Sequence, residues 1–371
     1  MRFTLRYRLG KPGIRTMIGK SAVAIASTSL RRLLPLLDRA DAAQGEPFAR
    51  PGMLVPHTQS RFYGWTHYGV MIPDLPAPHR FFSIMSIIGT PGALAFDTDH
   101  ALVDLPRHNA TVVSGTAATH PRHFAGYSIP RDCEMREDGS LIRFGKEVEI
   151  SGGYPNYRVR ARYGGFALDM RITATDKVSW FLRNPVYDHL SLLSRYRGAL
   201  SHAGETVAIE GLCTFEYAAC VSPYLLRRRP LPPRFKAPLD FFTYQVINLD
   251  DGPQLLLTQY MLLGRPLATV LYARAETEHG RSWRDATFEV LEYQEQPATA
   301  PDGRGMRLPQ RFRWTARDGA SALLDIEGTV DTPFTYGLGS GYVGGYRYSG
   351  RYQGRAVAGR GYIEYIDRRE G

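Results

Sequence analysis

Glu216 lies in the stretch Gly211-Leu212-Cys213-Thr214-Phe215-Glu216-Tyr217, a carboxylate among apolar and aromatic neighbours. In a dry interior, desolvation disfavours the charged form of such a group and raises its pKa. A neutral carboxylic acid beside π faces can protonate an alkene, and those faces stabilise the carbocation that forms. At a barrel edge facing water, the same Glu is only a solvated charge. A second acid stands beside an imidazole in Tyr187-Asp188-His189. Glu216 as proton donor and Asp188 are therefore the catalytic candidates. Tyr217, Trp180, His189, Tyr346, Tyr348 and Glu364 are the candidates for contacting a ligand, with Glu364 also a second acid or a hydrogen bond closing a barrel.

The other spacings carry less. Gly339, Gly341 and Gly344 match a dinucleotide fingerprint, which requires a strand before it and a helix after it. Tyrosine alternation follows instead. Gly19-Lys20-Ser21 lacks the first glycine of a phosphate loop, whose slot holds Ile14. No Gly-x-Ser-x-Gly elbow occurs. His120 and His123 flank a proline without a Cys or carboxylate at ligand spacing, so they read as a surface loop. The expectation is no metal and no cofactor.

The elements that must position these residues are strands. Phe166, Leu168, Met170 and Ile172 alternate with Ala167, Asp169, Arg171 and Thr173. Period two marks a half-buried strand. Val159, Ala161 and Tyr163 alternate likewise, and Gly164-Gly165 between the two runs reads as a two-residue hairpin turn. Tyr342, Tyr346, Tyr348 and Tyr352 share one parity, a row of phenols able to wall a cavity or to fill a core. Convincing helical periodicity is scarce, so the chain reads as all-β.

Residues 227–238, RRRPLPPRFKAP, contain four prolines, each removing a ladder donor. They read as a linker between a first β-barrel domain, 51–226, and a second, 239–371. Antiparallel sheets of this length close into barrels or pack as sandwiches, and barrels of eight or more strands can hold an apolar ligand.

Residues 1–50 read as a basic arm, partly helical or disordered. Eight Lys or Arg precede the first acid, Asp38, whereas the other 334 residues carry 38 basic and 36 acidic side chains. A nucleic-acid binder spreads charge over a folded face, so nucleic acid is not expected. Residues 1–37 suit contact with an anionic membrane surface, or form a solvated tail. No run approaches the ~20 apolar residues of a membrane helix. Cys133, Cys213 and Cys220 leave at least one thiol free, which suits a reducing, cytoplasmic setting, peripheral to a membrane if the arm binds one.

The closing segment Val357-Ala358-Gly359-Arg360-Gly361-Tyr362-Ile363-Glu364-Tyr365 resembles that of the AttH-like and carotenoid 1,2-hydratase-like proteins. Tyr196-Arg197-Gly198-Ala199-Leu200, the Gly204 turn and Ile209-Glu210-Gly211 are similar to the same group. The resemblance spans about residues 60–371. It implies a tandem pair of lipocalin-like β-barrels, shared in outline with tocopherol cyclases and some fungal Diels–Alderases, acting on isoprenoid or polyketide-like substrates. Where the family carries Gly-x-x-Trp-x-Asp-His, this chain has Thr214 for Trp, Glu216 for Asp and Tyr217 for His, so an acid is kept and the imidazole lost. The expected function is binding of a hydrophobic small molecule in a barrel cavity, with acid-assisted hydration or cyclisation by Glu216. A non-catalytic lipid carrier or membrane-surface protein is the alternative.

Overall fold

The computed structural model describes residues 37–119, 122–250 and 252–369, so the arm to residue 36 and His120 lie outside the described residues. Arg39–Gly371 forms one compact unit. It is all-β, built of two large antiparallel sheets that each curl towards a closed barrel. The tandem lipocalin-like architecture implied by the resemblance is the one found.

The first sheet has eleven strands, all between Trp65 and Cys220. At its centre Trp65–Leu75 pairs with Arg80–Gly89 on one side and Glu205–Cys220 on the other, and the latter pairs with Tyr187–His202. The second sheet has ten strands, with Leu239–Asn248 between Gln254–Leu262 and Arg355–Asp367. Gly164 and Gly165, at φ +48° and +78°, join Asn156–Tyr163 to Phe166–Asn184. Two successive positive φ values make the tight turn whose twist matches the flanking strands.

Burial along Glu205–Cys220 changes character halfway. Its first half alternates with solvent, whereas every residue from Cys213 to Ala219 is buried. A strand buried on one face alternates, and one covered on both faces does not. The cover has two sources. Tyr68, Val70, Phe215 and Tyr217 fill the interior of the first barrel. Met71, Phe81, Met85 and Phe181, on the outer face of the same sheet, join Tyr244, Val246 and Ile366 of the second sheet in one apolar cluster. The two sheets thus meet back to back along a buried seam.

Residues 39–50 belong to the body rather than to the arm. The Arg39 and Phe48 amides donate to Arg183 O and Asp176 O, each at 2.8 Å, and Ala40, Ala43 and Phe48 are buried in the first core. Apolar side chains with cover available leave no reason for this stretch to stay solvated. Between the sheets the chain makes two short 3₁₀ turns, Pro223–Leu225 and Pro233–Phe235. Buried Tyr224 and Lys236 pin this connection: the Tyr224 hydroxyl accepts from the Leu231 amide at 2.9 Å, and Lys236 Nζ lies 2.9 Å from Asp97 Oδ2.

Candidate functional site in the seam

Three adjacent strands of the first sheet bring polar side chains to the seam. His67 and His189 both pair with Ala218, one from each side, and Glu216 lies two residues along the central strand. Residues two apart on a strand share a face, so the two imidazoles and the carboxylate form a triangle over the small Ala218 side chain. Gly69, opposite Glu216, keeps the space open: a Cβ there would come within 2.9 Å of His67 Nε2. His67 Nε2 is 3.9 Å from Glu216 Oε2. Phe181 packs edge-on against both His189 and Tyr244, at 4.8 and 5.6 Å between ring centres.

The second sheet answers with its own polar groups. Tyr244 and Glu364 are cross-strand partners, and the Tyr244 hydroxyl donates to Glu216 Oε1 across the seam. The Tyr362 hydroxyl lies 2.9 Å from Glu364 Oε1 and 3.1 Å from Ser83 Oγ of the first sheet. Two arginines are buried at the seam, and Arg274 bridges the sheets. Arg274 donates to Ser191 O, to Ser191 Oγ at 2.9 Å and to Gln254 Oε1 at 2.7 Å. Arg122 donates to Ser83 Oγ at 2.7 Å and Gly115 O at 3.0 Å. Glu216, Glu364, Arg122 and Arg274 are at most 5 % exposed. Ionisable groups are almost never buried so deeply unless paired.

Burial sets the protonation states. The Glu364 carboxyl is held well above the usual range, chiefly by desolvation and then by the neighbouring Glu216, against the opposing pull of Tyr362 and Arg122. Desolvation, and after it the neighbouring His67, brings His189 down to about 3, so this imidazole is neutral near pH 7. Arg274 falls to about 10, again from desolvation first. His67 Nδ1 sits 2.9 Å from Ser86 O. A carbonyl only accepts, so that nitrogen carries the proton, and in the neutral ring Nε2 presents its lone pair to the cluster.

Of the residues singled out in the sequence, Glu216, His189 and Glu364 converge here. Tyr217 does not share a cavity with Glu216, because neighbours on a strand point to opposite faces. It fills the first barrel and donates to Val55 O at 2.9 Å. Asp188 faces away from His189 for the same reason, so Asp188 and Glu216 are on opposite sides of the sheet. Trp180 is in the first core, with the Arg183 guanidinium 4.9 Å over its ring. Tyr346 and Tyr348 fill the second barrel rather than walling a hollow, Tyr346 packing edge-on against Phe312. The acids therefore lie between the barrels and not inside one. His123, by contrast, stacks on Tyr163 and contacts the Tyr127 hydroxyl at 2.8 Å. Sequence reading missed His67, Tyr244, Tyr362, Arg122 and Arg274; only Arg274, a lone charge ending the run Leu267-Ala268-Thr269-Val270-Leu271-Tyr272-Ala273, carries a local signal.

Among the described residues, one set of groups suits a metal ion. His67, His189 and Glu216 each offer a ligand atom, all within 4.8 Å of one another. Among the described residues no helix is long and apolar enough to cross a membrane.

A family model, "Family of unknown function (DUF6670)", matches residues 85–371. The chain belongs to this family. No curated protein matches the sequence significantly. Among solved structures, kievitone hydratase from Nectria haematococca superposes with a TM-score of 0.56 at 11% identity, over 88% of this chain and 95% of that one. CghA with Sch210972 gives 0.51 at 8% identity, over 83% and 89%. At such identities the likeness is one of fold, and this DUF6670 chain shares the two-barrel architecture.

Proposed function

We propose that the seam binds an apolar small molecule of isoprenoid or polyketide-like kind and adds water across one of its double bonds. The observation that carries this reading is a pair of buried carboxylates, Glu216 and Glu364, brought by facing sheets to one seam, with the Glu364 carboxyl pushed well up by desolvation. Glu364, neutral by desolvation, gives its proton to an alkene carbon, and the π pair becomes the new C–H bond. Water held by Glu216 and His67 attacks the carbocation left behind, and its proton passes to that pair. The balance is one water gained by the substrate, with both acids reset by exchange with solvent. Unlike environments for two titratable groups are the usual basis for dividing acid from base. The hydratase name of the kievitone structure supports the choice of reaction.

The experiment is mass spectrometry of an organic extract from natively purified protein, with denatured protein as control, followed by incubation of the recovered compound in oxygen-18 water. Label should enter the product with wild-type protein and not with Glu364→Gln. No apolar compound and no label would reject the reading.

A second reading, a carrier working at a membrane surface, is favoured by the linker. Leu226 is 97% and Phe235 61% exposed, among exposed Arg227, Arg228, Arg229 and Arg234 in a stretch without any acid from Val221 to Pro238. Sedimentation with phosphatidylserine vesicles should fall for L226A/F235A; equal sedimentation of variant and wild type would end this reading.

A further inference from the structure

We propose that His67 Nε2, His189 Nε2 and the Glu216 carboxylate bind one divalent transition-metal ion of the zinc class, and that this ion holds the water molecule of the reaction. The inference rests on the seam reading and deepens it.

The strand arrangement is the first support. Three adjacent antiparallel strands present the ligands on one face, with Ala218 between the two histidines on the central strand. The rings of His67 and His189 are edge-to-face, 6.1 Å between centres, so their edges can address one point. A tetrahedral zinc ion takes imidazole nitrogen and carboxylate oxygen at about 2.0–2.2 Å, which sets its ligand atoms roughly 3.4 Å apart. From a spread within 4.8 Å, side-chain rotation must draw the set in by up to about 1.4 Å.

The second support lies behind the ligands. Each one has another polar atom engaged. His67 Nδ1 is held by Ser86 O, His189 Nδ1 lies 3.3 Å from the Tyr187 hydroxyl, and Glu216 Oε1 accepts from Tyr244. Outer partners of this kind fix the orientation of metal ligands. His189 Nε2, meanwhile, is buried with no hydrogen-bond partner. A buried nitrogen of that sort calls for an explanation, and a cation between His189, His67 and Glu216 supplies one. Two histidines and one glutamate leave a zinc ion's fourth position for water, whose acidity the ion raises. Glu216 then serves as ligand, and the proton that the water sheds goes to solvent rather than to the carboxylate.

The test uses the full chain, freed of metal with a chelator and titrated with Co²⁺ alone. Wild type should take up one equivalent and develop visible ligand-field bands. His67→Asn and His189→Asn should each weaken Co²⁺ binding by more than about 100-fold, beyond the loss seen on removing an outer partner, while His279→Asn leaves it unchanged. Circular dichroism melts establish that the variants fold. For wild type alone, NMR of the Co²⁺ form should show two strongly shifted imidazole N–H signals. No stoichiometric uptake, uptake unaltered in both variants, or fewer than two shifted signals would overturn the proposal. Failure here with oxygen-18 incorporation intact leaves water held by side chains; loss of incorporation alone rejects the hydration reading instead.

Discussion

Tyr244 of the second sheet donates its hydroxyl proton to Glu216 of the first, so one hydrogen bond ties the two barrels together at the acid. Both side chains are buried, and each is the other's nearest answer to the loss of water. Tyr244→Phe keeps the ring that packs on Phe181 and removes only the donor. An acceptor left unsatisfied in a buried site costs about 1–3 kcal/mol. Urea unfolding should show a loss of that size with an unchanged m-value; a loss below about 0.5 kcal/mol, within the range of ordinary surface substitutions, would mean the contact carries nothing.

Arg274 is the larger clamp. It reaches from the end of Arg265–Arg274 to Ser191 of the facing sheet and to Gln254 beside it. Arg274→Ala strands these acceptors and removes a positive charge that acts on Tyr244 and Glu216. Breaking a buried charged group's contacts typically costs about 3–5 kcal/mol. Thermal unfolding of R274A against wild type is the check, and a small effect would show that water replaces the guanidinium.

Glu364 makes stability depend on pH. Its folded pKa is raised above the ordinary 4.5, so above that value the native state holds a proton that the unfolded chain has shed. Linkage then lowers stability as pH rises from about 4.5 through the folded pKa. Glu364→Gln imitates the neutral acid and cannot ionise. The difference in unfolding free energy between E364Q and wild type should grow in favour of the variant as pH rises over that window. A difference independent of pH would place the Glu364 pKa at its ordinary value.

Gly69 bears on His67. A methyl group there meets His67 Nε2 at 2.9 Å and Met71 Cε at 3.0 Å. The methionine end can move aside, but the imidazole can yield only by leaving Ser86 O. Gly69→Ala should therefore cost about 1–3 kcal/mol, the usual range for overpacking, and should speed solvent exchange of the His67 Nδ1 proton seen by NMR. An unaltered proton would show that the gap takes a methyl group freely.

Local signals made the strands legible. Alternation from Phe166 to Ile172 and the Gly164-Gly165 turn are set by neighbours in sequence, and the structure repeats them residue for residue. Glu216 was legible as a candidate acid because its neighbours are apolar, but whether it was desolvated or a water-facing edge charge stayed open. The direction in which it points was partly legible too, since strand parity alone separates it from Tyr217. What parity cannot supply is the identity of the second cover. The outer face of the first sheet is buried only because the second sheet packs on it, and that choice depends on contacts between residues as distant as Glu216 and Glu364. His67, Tyr244 and Arg122 acquire their roles from the same packing, so nothing near them in the chain announces it. The tyrosine row shows the converse: regular spacing was visible, but whether the rings wall a space or fill it depends on Phe312, Trp314 and Phe288 opposite.

The division of labour between the two carboxylates is the centre of the account, and infrared difference spectroscopy of wild type against E364Q at pH 7 addresses it directly. A carboxylic-acid C=O band present in wild type and missing in the variant is the expected result, since it requires Glu364 to keep its proton at neutral pH. A difference spectrum with carboxylate bands alone would contradict the account, because Glu364 would then have no proton to give.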